Sequence, residues 1–178
     1  NQSYNNLIDN INKSKEVELQ KFIYALGIRY IGEINAQIIS NQFLNINGFL
    51  NKAKEIKNLE DIDGLGPKAI NSITEFINNH HNLNEIKKII SYCKIKDFNK
   101  IQSTSRFNNK YVIFTGKLKL MSREEAKKSA LELGAKISSS VNSKTDYLIC
   151  GEKSGSKLKK AKDLKIKILT ESEWISKI

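Results

Sequence analysis

Ile62-Asp63-Gly64-Leu65-Gly66-Pro67-Lys68-Ala69 lies between two stretches of helical period, and its reading decides what surrounds it. Two glycines flank one apolar residue, so the chain can turn tightly while Leu65 anchors the turn in a core. Pro67 suits the first position of the following helix, where an N–H would have no partner. The backbone N–H groups of such a turn and helix start point outward together, an arrangement suited to a phosphate. Lys68 adds a mobile positive charge beside it. The same residues spell Gly64-x-Gly66-x-x-Ala69, a degenerate dinucleotide fingerprint. That motif needs a strand before it and an acidic residue about 20 positions on, whereas a helical pattern precedes it here. The plain alternative is a packing corner between two helices.

A related segment lies 34 residues earlier: Leu26-Gly27-Ile28-Arg29-Tyr30-Ile31-Gly32-Glu33-Ile34-Asn35-Ala36. Superposing Gly32 on Gly66 places Ile31 on Leu65 and Tyr30 on Gly64, and the flanking apolar helices coincide as well. The segment is an internal repeat, and paired repeats would present two phosphate-binding turns side by side. A phosphate-loop reading of Gly27 to Gly32 fails because Glu33 stands where lysine is required, and Gly151 to Lys157 has the wrong glycine spacing for that motif.

Outward from these turns, residues 1 to about 95 keep a helical period. Leu7, Ile8 and Ile11 form one apolar stripe, and Leu19, Phe22, Ile23 and Leu26 another; Ile70, Ile73 and Ile77, then Ile86, Ile89 and Ile90, repeat the spacing. Nothing there alternates with period two, which predicts an all-α half of five to seven short helices. Beyond about residue 107 the period changes. Tyr111 to Phe114, Tyr147 to Cys150 and Ile166 to Leu169 are short apolar runs suited to strands buried on both faces, with Ala135 to Val141 a weaker fourth. Ser122 to Glu125 and Thr170 to Glu173 have capping-box spacing, and Gly134 sits where a helix C-cap glycine belongs. The order β-α-β-β-α-β-α predicts a small four-stranded parallel sheet covered by helices. We therefore expect domains at 1–95 and 107–178, joined by a polar linker over 96–106.

Charge divides the same way. The 178 residues carry a net +11. Residues 1–105 hold only +2 of this and residues 106–178 hold +9, which suggests an anionic partner for the second half. Residues 1–82 sum to −1, so any grip of the first half on an anion must rest on backbone N–H groups and helix N-termini. Cys93 and Cys150 exclude a disulfide framework or a four-cysteine zinc site and read as reduced, core-type thiols. The adjacent His80 and His81 cannot share a helix face, so no metal is expected. No apolar run is long enough to span a membrane and no leader is evident, which predicts a cytoplasmic protein. Trp174, spaced with Ile175 and Ile178, reads as core.

The glycine turns between helices resemble helix-hairpin-helix motifs, and Lys21 to Glu33 resembles the corresponding segment of bacterial NAD-dependent DNA ligases. Asn6 to Lys15 is similar to the helix leading into it. Residues 107–178 resemble the BRCT domain that ends the same ligases, through Val112 to Gly116, Leu133 to Lys136, Val141 to Gly151, Gly155 to Ala161 and Trp174. The resemblance implies an all-α hairpin domain followed by a small α/β BRCT domain. It also implies contacts to nicked duplex DNA through Ile28, Arg29, Tyr30, Gly32, Gly64, Leu65, Gly66 and Lys68. In BRCT domains that bind phosphate, a Ser or Thr and the next Gly end the first strand and a Lys starts the second helix. Thr115, Gly116 and Lys157 fit those roles, with Lys159 or Lys160 as alternatives for the last.

The family's K-x-D-G lysine, which accepts AMP from NAD, has no counterpart: Asp61 stands at its place before Ile62-Asp63-Gly64. The zinc finger's four cysteines are missing too. The expected chain is thus the DNA-binding, monomeric C-terminal part of a ligase acting in replication and repair, without cofactor of its own. NAD, zinc and a divalent cation such as Mg²⁺ are implied for the whole enzyme. Two rivals remain at this point, a scaffold that uses its BRCT domain to hold a partner, and another repair protein such as a nuclease subunit.

Overall fold

Near residue 100, where the period changes, the computed structural model changes architecture. It describes residues 2–99 and 104–178. The chain divides into two compact units, Asn1–Asn99 and Lys100–Ile178.

In the first unit the apolar stripes become helices: α1 (Gln2–Ser14), α2 (Leu19–Ala25), α3 (Glu33–Phe43), α4 (Ile46–Lys52), α5 (Lys57–Glu60), α6 (Pro67–Asn78) and α7 (His80–Tyr92). Their inward faces make one core containing Leu19, Phe22, Ile23, Ile39, Phe49, Leu59, Ile73, Ile77 and Ile86. Asn45 caps α4 by accepting from the Gly48 N–H at 2.7 Å, and Asn79 caps α7 through the N–H groups of His81 and Asn82. The α1 stripe departs from this pattern. It is helical as its spacing predicts, yet Leu7, Ile8 and Ile11 stay exposed and no residue of α1 is buried.

The all-α expectation for this half needs correction. β1 (Glu16–Glu18) and β2 (Lys94–Lys96) pair in parallel with Val17 opposite Ile95. Each strand is three residues of alternating charge and apolar side chain, too short to register as a period. Across the ladder the Glu16 carboxylate lies 3.5 Å from the Lys94 ammonium and 2.8 Å from that of Lys96, both of them exposed ion pairs that add little to the pairing. The expected 96–106 linker is consequently not linker from its first residue. Lys96 closes a strand, and Phe107 is fully buried in the second unit against Trp174 and Tyr147. Of the expected 96–106 linker, residues 100–103 lie outside the described residues.

The second unit runs β3 (Tyr111–Thr115), α8 (Arg123–Glu132), β4 (Lys136–Ile137), β5 (Tyr147–Cys150), α9 (Ser156–Asp163), β6 (Lys167–Thr170) and α10 (Glu171–Ile175). Its four strands are all parallel, in the order β4-β3-β5-β6. Central β3 and β5 carry the uninterrupted apolar runs because both of their faces are covered, and Val112, Ile113, Leu148 and Ile149 are fully buried. Both capping boxes form, Ser122 with Glu125 and Thr170 with Glu173. Gly134 takes φ 77° after α8, as a C-cap glycine should. The weak run Ala135 to Val141 yields only the two residues of β4. Trp174 is core. Cys93 and Cys150 are free and half-buried at element ends; Cys150 packs against the core of Ile113, Val141, Leu148 and Ala161, as a core-type thiol should, while Cys93 falls short of the buried position expected for it.

Glu171 adds a tie that sequence spacing does not reveal. Its carboxylate accepts the N–H groups of Lys119 (2.8 Å), Leu120 (2.7 Å) and Met121 (3.1 Å), fixing the loop between β3 and α8. Burial pushes its carboxyl up, but the three N–H donors and the Lys119 charge outweigh that and hold it below the usual carboxylate range.

Candidate nucleic-acid interface

The repeat seen in sequence is a repeat of backbone. In the first turn Ile31 N–H donates to Ile28 C=O at 3.0 Å, and in the second Leu65 N–H donates to Ile62 C=O at 3.2 Å. Ile28 and Ile62 are buried, as are Ile31 and Leu65, so two apolar residues pin each turn to the core. Tyr30 and Gly64 are both left-handed, at φ 66° and 93°. Gly32 and Gly66 then cap α3 and α6 in extended conformation, with φ/ψ of −88°/−177° and −87°/162°. From each, the helix starts in step: Ala36 N–H donates to Gly32 C=O and Ile70 N–H to Gly66 C=O.

This geometry refines the roles of the glycines. Of Gly32, Gly64 and Gly66, Gly64 alone takes the left-handed φ that favours glycine. Gly32 and Gly66 have dihedrals any residue adopts, and a Cβ built on either would meet nothing within 4 Å. Neither the fold's sterics nor its backbone asks for glycine there. Neither cap donates a side-chain acceptor to its helix. Among the described residues, the N–H groups of Gly32, Glu33, Gly66 and Lys68 have no partner within the chain. Two bare helix starts therefore face outward with nothing in front of them, the arrangement that lets an oxyanion reach main-chain donors.

The two turns share a groove of about 530 Å³ lined by Ile28, Arg29 and Tyr30 from the first, and by Lys68, Asn71 and Ser72 from the second, among others. The Arg29 guanidinium lies 5.0 Å from the Tyr30 ring centroid and the Lys68 ammonium 6.0 Å from it. Of the hairpin residues expected from the sequence, Ile28, Arg29, Tyr30 and Lys68 line this groove; Gly32, Gly64 and Gly66 do not line it, and Leu65 is a buried anchor of the second turn. Asn35, which donates from Nδ2 to the Tyr30 carbonyl at 2.8 Å, carries no motif signal and escapes sequence reading.

The second candidate site behaves differently. Thr115 ends β3 and is buried, and Gly116 follows at φ 74°. A Cβ on Gly116 would lie 2.5 Å from both the Glu152 carbonyl oxygen and Ser154 Oγ, so packing alone explains this glycine. The Gly116 carbonyl accepts from Arg123 Nη2 at 2.7 Å, and the Lys157 ammonium donates to the Ser139 carbonyl at 2.7 Å. Arg123 and Lys127 on α8, neither of them evident from sequence, join Lys157 in a positive cluster. Burial first, then the Arg123 and Lys157 charges, hold the Lys127 ammonium below its ordinary value. Seven lysines fall between Lys153 and Lys167. Among the described residues none of them pairs with a carboxylate, since the second unit's ion pairs are Lys110–Asp146 and Lys119–Glu152. These seven lysines leave the second unit with an excess of positive charge not neutralised by ion pairs among the described residues.

Among the described residues no group of His, Cys, Asp and Glu is arranged to hold a metal ion, and no helix is long and apolar enough to cross a membrane.

Comparison with known proteins divides the chain the same way. Residues 21–86 match the helix-hairpin-helix motif family and residues 103–176 the BRCA1 C Terminus (BRCT) domain family. Over 179 residues, 96% of this chain, it is 44% identical to a DNA ligase of Rickettsia typhi, covering 26% of that protein. DNA ligases of Rickettsia bellii and Rickettsia rickettsii are each 42% identical over 98% and 99% of this chain. The chain spans about a quarter of the length of these curated relatives.

Proposed function

We propose that this chain, a relative of the C-terminal helix-hairpin-helix and BRCT part of the bacterial DNA ligases, holds duplex DNA at a strand break so that the rest of a ligase can seal it. The observation that carries the reading is the pair of capping glycines, Gly32 and Gly66, bare of contacts and without conformational need. Glycine at both repeats is accounted for if a phosphate must come closer than a Cβ allows. The hairpins then grip two backbone phosphates through neutral N–H groups, with Arg29 and Lys68 adding charge. The BRCT unit contributes a sequence-independent attraction through its unpaired lysines.

The ligase served would be NAD-dependent, cytoplasmic and used in replication and repair, and the chain would work as a monomer covalently joined to the adenylating part. The residues here do not fit NAD or zinc. The only x-D-G, Ile62-Asp63-Gly64, follows Asp61 and not a lysine and belongs to the second hairpin, and two cysteines cannot supply a four-cysteine zinc site. NAD, zinc and a divalent cation such as Mg²⁺ would serve elsewhere in the enzyme. Incubating this chain with NAD should give no AMP-lysine adduct by mass spectrometry.

The direct test is fluorescence anisotropy of a labelled duplex carrying one nick with a 5′-phosphate, titrated with the full chain alone. Binding that favours the nicked over the intact duplex is expected. Failure to bind either duplex at 50 mM salt would overturn the reading in favour of a scaffold that only holds a protein partner.

A further inference from the structure

Position 30 is where the two hairpins differ in chemistry while agreeing in backbone. Tyr30 and Gly64 occupy equivalent places and both are left-handed. Glycine takes that conformation freely, and tyrosine does not. The first turn holds Tyr30 there all the same, with Asn35 Nδ2 donating to its carbonyl, while the residue stays 48% exposed. An aromatic side chain kept on strained backbone at an open surface points to a use beyond packing.

Its neighbours indicate which use. The repeat places Arg29 opposite Asp63 and Lys68 opposite Ile34, so each hairpin supplies one cation from a different position. Both cations sit within reach of the one ring, Arg29 at 5.0 Å and Lys68 at 6.0 Å. Among the described residues neither forms an ion pair with a carboxylate. A cation–π contact at an exposed site is weak and yields to a charge-assisted hydrogen bond with phosphate. Such a ring narrows where the two cations dwell without trapping them.

We propose that Tyr30 is a positioning residue that couples the two hairpins, seating Arg29 and Lys68 over one groove so that both move onto phosphates of the same bound duplex. The proposal rests on the DNA-binding reading above.

The test is a double-mutant cycle on the full chain, read by anisotropy with nicked duplex and by thermal melting. Tyr30→Phe keeps the ring and should bind within twofold of the unmodified chain. Tyr30→Asn keeps a residue that tolerates the left-handed turn but removes the ring. It should lower affinity at least threefold, with the melting midpoint within about 3 °C of the unmodified chain, a change worth less than about 1 kcal/mol for a unit of this size. If Tyr30→Asn does not fold, Tyr30→Gly, which copies the second hairpin, takes its place. Lys68→Ala should weaken binding threefold or more when Tyr30 is present and less than 1.5-fold alongside Tyr30→Asn. Equal effects of Lys68→Ala in both backgrounds would overturn the coupling, as would unchanged binding by Tyr30→Asn. An unmodified chain that does not bind the duplex overturns the DNA-binding reading itself, and this proposal with it.

Discussion

Replacing Gly66 with valine separates the fold's needs from the ligand's. Gly66 sits at φ −87° and ψ 162°, inside the region valine favours, and a Cβ there meets nothing within 4 Å. Removing glycine's freedom from the unfolded chain stabilises by about 0.4–1 kcal/mol where the dihedrals are compatible. Valine is a poorer N-cap than glycine, which opposes that gain by a similar amount. The two nearly cancel, so Gly66→Val should melt within about 5 °C of the unmodified chain. Binding should change far more. A branched side chain over the start of α6 costs the phosphate one of its two hydrogen bonds from the Gly66 and Lys68 N–H groups, and a hydrogen bond to a charged group contributes about 1.5–3 kcal/mol. That predicts a loss in affinity of about 10- to 100-fold. Because the lost donor is neutral, the dependence of affinity on salt should keep its slope. Lys68→Ala should instead reduce the slope by about one unit, since it removes a cation that displaces a counterion. The assay is a salt titration by anisotropy with nicked duplex for all three proteins, with thermal melts alongside. Unchanged affinity in a folded Gly66→Val protein would refute the phosphate account and leave the turn as a packing corner.

Other outcomes follow from the second unit. Gly116→Ala should destabilise it by about 2 kcal/mol or more, visible as a drop in melting midpoint of roughly 8 °C or more, because φ 74° and a 2.5 Å approach to the Glu152 carbonyl both oppose a Cβ. Glu171→Gln should lower the midpoint by several degrees, since three N–H groups lose a charged acceptor. The Glu171 carboxyl is held below its unfolded value, so its stabilising effect is complete above the ordinary carboxylate range near 4.5 and fades as pH falls below it; acid titration of melting should show the fade in the unmodified chain and a flatter profile in Glu171→Gln. Lys157→Ala should weaken nicked-duplex binding less than threefold and leave the response to removing the 5′-phosphate unchanged, because six other lysines of the Lys153–Lys167 stretch sustain the field; loss of all binding would assign the work to a single pocket with Thr115 and Gly116.

Residues that act through their immediate neighbours were legible in the sequence. Ser122 with Glu125, Thr170 with Glu173, Pro67 at a helix start and Gly134 after α8 all behave as their spacing requires. The repeat was legible for the same reason, since its partners lie within one turn and two helices. Long-range determinants were not. β1 and β2 have no local period, and they pair across 78 positions of sequence, with Glu16 opposite Lys94 and Val17 opposite Ile95. Glu171 looks like an ordinary first-turn acid, and only the fold brings Lys119 to Met121 to its carboxylate. Spacing alone also cannot distinguish Gly64, which needs its φ, from Gly66, which does not, nor show that Tyr30 shares the conformation of Gly64. The α1 stripe warns of the converse: Leu7, Ile8 and Ile11 have the period of a buried face without being buried.

The pairing of β1 with β2 also governs how the first unit comes apart. Its strands join residues 78 positions apart, as in the contact of Lys94 with Glu16, whereas the helices form among near neighbours. Closing so long a loop is entropically slow and is rewarded by only three paired residues on each side. The clasp should therefore close late in folding and open early, as a sub-global fluctuation that leaves the hairpin core intact. Val17 and Ile95 amides would then exchange with solvent well before those of Ile73 or Ile77, and added salt, by weakening the Glu16 pairs, would widen the gap. The surface that presents Gly32 and Gly66 is thus decoupled from the seam where the chain enters and leaves.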